Sequence, residues 1–211
     1  MALPNQWRET WTGGPFRPLR SAYDAGAEAL ADLKREAERV AADPDLTGEG
    51  KRAAMADYVG GRPAIAHDAL RRAMAETERT LATMRDALTL PEAETVIEEM
   101  RRAELRAAFR GGGDDITAKD RQAALLGSDV ALLVAVASAP AVVSALPPAV
   151  HEQVRQRAIR LLYPAELAEI AEIEAARDVV AAVEKSLAKE VASRRTTERL
   201  VPRMTLETMN A

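Results

Sequence analysis

Residues 164–195 read PAELAEIAEIEAARDVVAAVEKSLAKEVASRR, and their spacing decides the fold. Leu167, Ile170, Ile173, Ala176, Val180, Val183, Leu187 and Val191 recur at steps of three and four, so they share one stripe of an α-helix. The polar face carries Glu166, Glu169, Glu172, Glu174, Arg177, Asp178, Glu184, Lys185, Lys189 and Glu190. Acid dominates the start and base the end (Arg194, Arg195, Arg199), which complements the helix dipole. A helix with one apolar seam gains most of its stability by burying that seam against something else. The next step is to find what covers it.

Two other segments repeat the pattern. Leu19, Tyr23, Gly26, Leu30, Leu33, Ala37 and Val40 predict a helix over 19–42, ended by Asp43-Pro44. Leu70, Met74, Thr77, Leu81, Met84 and Leu88 predict another over 63–88. Between them, Thr47 caps a short helix that runs to Val59, and Gly60-Gly61 break it. A further helix over 91–109, with Thr89 as N-cap, places Ala93, Val96, Met100, Ala103 and Ala107 on its core stripe, widened by Leu105 and Phe109. GGGDD at 111–115 reads as a flexible hinge.

Beyond the hinge, Thr117 and Asp120 open a short helix to Leu126, and Ser128 caps VALLVAVASAP. Residues 130–150 carry no charge, but Pro140, Pro147 and Pro148 break them into short buried helices rather than a membrane span. Val150, Val154, Ala158 and Leu161 mark the core side of a helix over 149–162. Residues 1–18 hold five prolines and glycines, Pro4, Gly13, Gly14, Pro15 and Pro18, and form an extended arm. The arm carries Trp7, Trp11 and Phe16. Large aromatics on irregular backbone need a surface, either the chain's own helices or a partner subunit, and these three are the candidate partner-binding residues.

The expected fold class is all-α: an elongated antiparallel helical bundle or coiled-coil hairpin with a small helical cap. The expected organisation is an arm (1–18), a long-helix bundle (19–110), a hinge (111–116), a compact short-helix subdomain (117–162), a long C-terminal helix packing on the bundle (163–196) and a tail (197–211). Hydrophobic residues are 47% of the 211, yet aromatics only 3%, so the core is built of Ala, Leu and Val and is spread thinly along helices.

Composition also bounds the chemistry. There is no cysteine, which excludes disulfides, thiolate metal sites and thiol catalysis. The net charge of −4, with both signs interspersed, argues against non-specific binding to nucleic acid. The N-terminus lacks the layout of a signal peptide. His151-Glu152 matches the start of a zincin motif, but Arg155 stands where the second histidine belongs; His67 lies on a polar stretch. GEGKR at 48–52 has Asp45 and Arg52 where a phosphate loop needs Gly and Ser or Thr. Asp114, Asp115 and Asp120 suit a polar hinge and a cap better than a calcium loop. Glu98, Glu99 and Glu104 beside Arg101, Arg102 and Arg106 read as solvated ion pairs. No nucleophile elbow occurs. The reading is therefore non-enzymatic, with no cofactor, no metal and no membrane.

Two stretches carry a family resemblance. One is ADLKREAERVAADPDLTGEGKRAAM, a charged helix ending in a turn before a basic helix. The other is SDVALLVAVASAPAVVSALPPAVHEQVRQRAIRLLYPAELAEIAEIEAA, where short apolar helices lead into a long one. Together they resemble small helical proteins from the structural-gene clusters of tailed bacteriophages and prophages. The resemblance implies a virion or virion-assembly role: a scaffold, capsid-associated or head–tail component in the virion or the bacterial host cytoplasm. Its partners would be other copies of the chain and other virion or assembly proteins. The competing expectation is a helical regulatory or nucleic-acid-binding protein, for which the basic residues Arg194, Arg195, Arg199 and Arg203 would matter.

Overall fold

The computed structural model describes residues 7–111, 123, 125 and 127–195. Every regular element among them is helical: α1 (Phe16–Ala42), α2 (Gly48–Gly60), α3 (Arg62–Ala87), α4 (Val96–Arg110), α5 (Val130–Ala137), α6 (Pro148–Leu162) and α7 (Pro164–Arg195). The residues 112–116 of the expected hinge, most of the helix expected over 117–126 and the tail at 197–211 lie outside the described residues. The chain divides into two compact units, residues 1–81 with 171–211, and residues 82–170. The sequence suggested a boundary at 111–116. The observed limits fall inside α3 and α7 instead, because Phe109 of α4 packs on the same core as α5 and α6.

In the first unit the sequence stripes form the core. Leu19, Leu30, Leu33 and Val40 of α1 cluster with Leu70 and Ala73 of α3 and with Val180, Val183 and Leu187 of α7. The short helix α2 adds Met55 and Val59. A Cβ on Gly26 would lie 2.8 Å from Val183 Cγ1 and 2.9 Å from Leu70 Cδ1, so only glycine lets three helices meet there. The direction of packing follows from paired residues. Arg62 bonds Asp32 and Glu28, whereas Leu70 sits against Gly26, so α3 passes α1 in the opposite chain direction. His67 meets Glu184 at 2.7 Å and Glu78 meets Arg177, so α3 also opposes α7.

The buried polar residues Asp32 and Thr77 of this unit are hydrogen-bonded. The buried Asp32 carboxylate accepts from Arg62 Nη1 at 2.7 Å and pairs with Arg35. The Thr77 hydroxyl, on the core stripe of α3, donates to the Ala73 carbonyl at 2.9 Å. Burial, then the charges of Asp32 and Glu36, push the Tyr58 phenol above its ordinary pKa.

Helix ends show where local chemistry overrides pattern. Thr47 caps α2 as expected, its hydroxyl accepting from Gly50 N at 3.1 Å. Helix α1 starts at Phe16, three residues before the expected Leu19, because Pro18 fits a first turn whose N–H groups have no helical partner. Helix α4 starts at Val96, not near Pro91. Thr95 supplies the cap, accepting from Glu98 N at 3.1 Å, while Glu98 accepts from Glu94 N at 3.0 Å. Helix α5 is capped by Asp129 rather than Ser128, with Leu132 N donating at 3.0 Å.

The second unit has its own core of Leu133, Val134, Val136, Leu146, Val154 and Ala158, with Leu125. Leu161, expected on the core side, is 38% exposed; a step of four from Ala158 brings Leu162 to the core instead. The uncharged stretch 130–150 is split between α5, a turn in which Ala145 takes φ 52°, and the start of α6. No helix among the described residues is long and apolar enough to cross a membrane.

The Gly26 contact yields a test. Gly26→Ala gains about 1 kcal/mol of helix propensity but forces a methyl against a stiff β-branched valine in a closed core, a cost of roughly 1–3 kcal/mol. Urea unfolding should show a net loss of stability, and Gly26→Leu a larger one. A more stable Gly26→Ala protein would show that the helices do not approach this closely.

Candidate functional site

Helix α4 is rotated relative to its hydrophobic pattern. The stripe that sequence reading assigned to the core is largely open to solvent: Val96 is 78% exposed and Met100 58%, and Ile97 beside them is 65% exposed. Ala103 and Ala107, one and two turns further along the same stripe, are exposed as well. Of the side expected inside, Phe109 is partly buried against the second core and Leu105 is exposed.

The face that is buried carries Arg102 and Arg106, each only 7% exposed. The sequence places them in solvated ion pairs; the pairs with Glu98 and Glu99 form, and Arg101 and Glu104 are exposed, but the Arg102 and Arg106 guanidinium groups are buried. Arg102 donates to the carbonyls of Pro91 (2.8 Å) and Glu92 (3.4 Å) and to Glu98 (2.6 Å). It therefore ties the 88–95 loop to α4. Arg106 donates to the Ala135 carbonyl at 3.0 Å and to Glu99 at 2.5 Å. Ala135 lies in the last turn of α5, where carbonyls lack helical partners and a cation is favoured.

Neighbouring groups complete this end of α5. Ser144 Oγ donates to the Val136 carbonyl at 3.0 Å, and Arg110 donates to the Val143 carbonyl at 3.1 Å. His151 Nε2 lies 2.8 Å from the Ala139 carbonyl and 3.3 Å from that of Val136, so its Nε2 carries a proton and donates. The Tyr163 hydroxyl donates to the Thr89 carbonyl at 2.6 Å and holds the far side of the loop. Between loop, α4 and the turn after α5 lies an open cleft of about 640 Å³, lined by Arg102, Arg106, Arg155 and Glu99 among others.

The arm docks on its own chain. Trp11 is 4% exposed and belongs to the first core, its Nε1 donating to Glu172 at 2.5 Å. Trp7 meets Trp11 edge-on at 5.2 Å, and Phe16 stacks on Trp11 at 6.3 Å. Arg8 lies over the Trp11 ring and pairs with Glu172. Trp7 and Phe16 remain partly open and are the members of the trio that keep surface for a neighbour. Gripping a partner with Trp11 would require it to leave this core.

His67 pairs with Glu184 on the first unit, far in sequence from His151, and GEGKR forms the start of α2. Among the described residues no group of three or more His, Asp or Glu side chains is placed to hold a metal. The fold defines an all-helical protein whose most distinctive surface is apolar. No protein family, curated protein or solved structure matches the chain.

The clamp around α4 has a pH signature. The hydrogen bond from Arg102, then that from Glu94 N–H, holds the Glu98 carboxyl below its ordinary pKa of 4.5. A depressed carboxylate contributes stability above its unfolded pKa and loses it as pH falls through the folded one. Glu98→Gln should therefore lose stability at neutral pH and show a shallower acid decline than the wild-type chain in urea melts. Parallel acid limbs would show that Glu98 is not engaged.

Proposed function

We propose that the chain is a non-enzymatic structural or assembly protein that works by helix-mediated contact with other protein. The observation that supports this reading is the uncovered stripe of Val96, Ile97 and Met100 on α4. Contiguous apolar surface costs roughly 25 cal/mol per Å² to leave in water, and such patches mark interaction sites. Arg102 and Arg106 hold α4 in the orientation that leaves the stripe outward, through hydrogen bonds to the Pro91 and Ala135 carbonyls.

The family resemblance adds the setting: a component of a tailed phage or prophage, such as a scaffold, capsid-associated or head–tail protein, acting in the virion or the host cytoplasm. The partners are other copies of this chain and other assembly proteins. The coiled-coil character of the seams on α1, α3 and α7 belongs to the same reading.

Light scattering after size exclusion should give a mass above that of one 22.8 kDa chain. Met100→Glu, which places a charge on the stripe without touching either core, should shift the mass toward one chain. A monomer at all concentrations, with no virion protein bound, would contradict the reading. Neighbouring terminase, portal or capsid genes would support the phage setting.

A further inference from the structure

The cleft behind α4 is lined by the most deeply buried cations among the described residues, and it lies on the face of the helix away from the apolar stripe. We propose that it binds a small organic oxyanion, its carboxylate or phosphate head held by Arg106, Arg102 and Arg155 and its apolar body by the cleft wall.

A guanidinium has five N–H donors in a planar fork. Arg106 uses two of them, on Ala135 O and on Glu99. Arg102 uses three, on Pro91 O, Glu92 O and Glu98. Both side chains line the cleft while more than nine-tenths buried, with N–H donors to spare for an anion. Arg155 lines the same cleft, is half exposed, and has only a long 3.8 Å contact with Glu152 to hold it elsewhere.

Glu99 is the internal competitor. It is 54% exposed, and its one ion pair is with Arg106. An incoming oxyanion would take its place on the guanidinium fork while the glutamate turns to solvent at little cost. The rest of the lining is Leu90, Pro91, Pro140 and Val143 with alanines, together with Thr89, Ser138 and a second carboxylate, Glu92, so three guanidinium groups face two acids and an apolar wall that suits a compact body. At about 640 Å³ the cleft accommodates one small molecule.

Calorimetric titration of the full chain at low salt tests this with three probes: inorganic phosphate, phenyl phosphate and benzoate. One-to-one saturable binding of phenyl phosphate or benzoate, tighter than inorganic phosphate, is expected; the tighter of the two identifies the head group. Arg155→Gln should weaken it about tenfold, and Glu99→Gln should strengthen it, because the competing carboxylate is gone. Both substitutions are at half-exposed positions, and unchanged thermal melts would show that they fold. A merely structural role for Arg106 does not predict tighter binding in Glu99→Gln. No saturable heat with any probe into the tens of millimolar, or binding indifferent to both substitutions, would overturn the proposal.

Discussion

A guanidinium taken out of water has to find acceptors, and on α4 that requirement outranks the hydrophobic pattern. Arg102 finds the carbonyls of the 88–95 loop, and Arg106 finds the carbonyl of Ala135 near the end of α5. Both anchors are backbone atoms, fixed by the fold and not free to follow a rotating helix. With these bonds engaged, Val96, Ile97 and Met100 lie on the exposed side of α4 among the described residues. Turning α4 about its axis would strip the carbonyls of Pro91, Glu92 and Ala135 of these donors. The exposed stripe is thus a consequence of the clamp, and the proposed assembly role is a consequence of the stripe.

The first unit is governed by packing alone. Three helices approach at Gly26, where the absent side chain admits Val183 and Leu70. Their seams are lined by Leu, Val and Ala, and the few buried polar groups, Asp32 and Thr77, are hydrogen-bonded. The aromatic arm closes part of this core, with Trp11 inside and Glu172 accepting its indole N–H.

Sequence periodicity was informative in proportion to how far each helix obeys packing. On α1, α3 and α7 much of each stripe read from spacing is buried, with Leu19, Leu33, Leu70, Leu81, Ile173 and Leu187 fully covered and Tyr23, Met84, Leu167 and Val191 partly so. On α4 the same logic pointed to the wrong face, because periodicity reports amphipathicity and not which side a neighbour occupies. The clue lay in Arg102 and Arg106, four residues apart on the far face, together with an uncharged segment at 130–139 whose backbone carbonyls needed donors. The caps fall at Thr95 and Asp129 and not at Thr89 and Ser128, each accepting from the backbone N–H three residues on, and the sequence offered a capping side chain at both places. The clefts, being products of long-range contact, left no periodic trace.

Because the natural chain has no cysteine, single cysteines can report on α4 one position at a time. Thiol labelling rates of Val96→Cys, Met100→Cys and Ala103→Cys, with Arg101→Cys as reference, measure the stripe directly as the protein is diluted. The account predicts fast labelling along the stripe in dilute protein and protection there, but not at the reference position, as concentration rises or an assembly partner is added. Protection of the stripe at every dilution would mean that the chain covers it itself, and the central claim would fail.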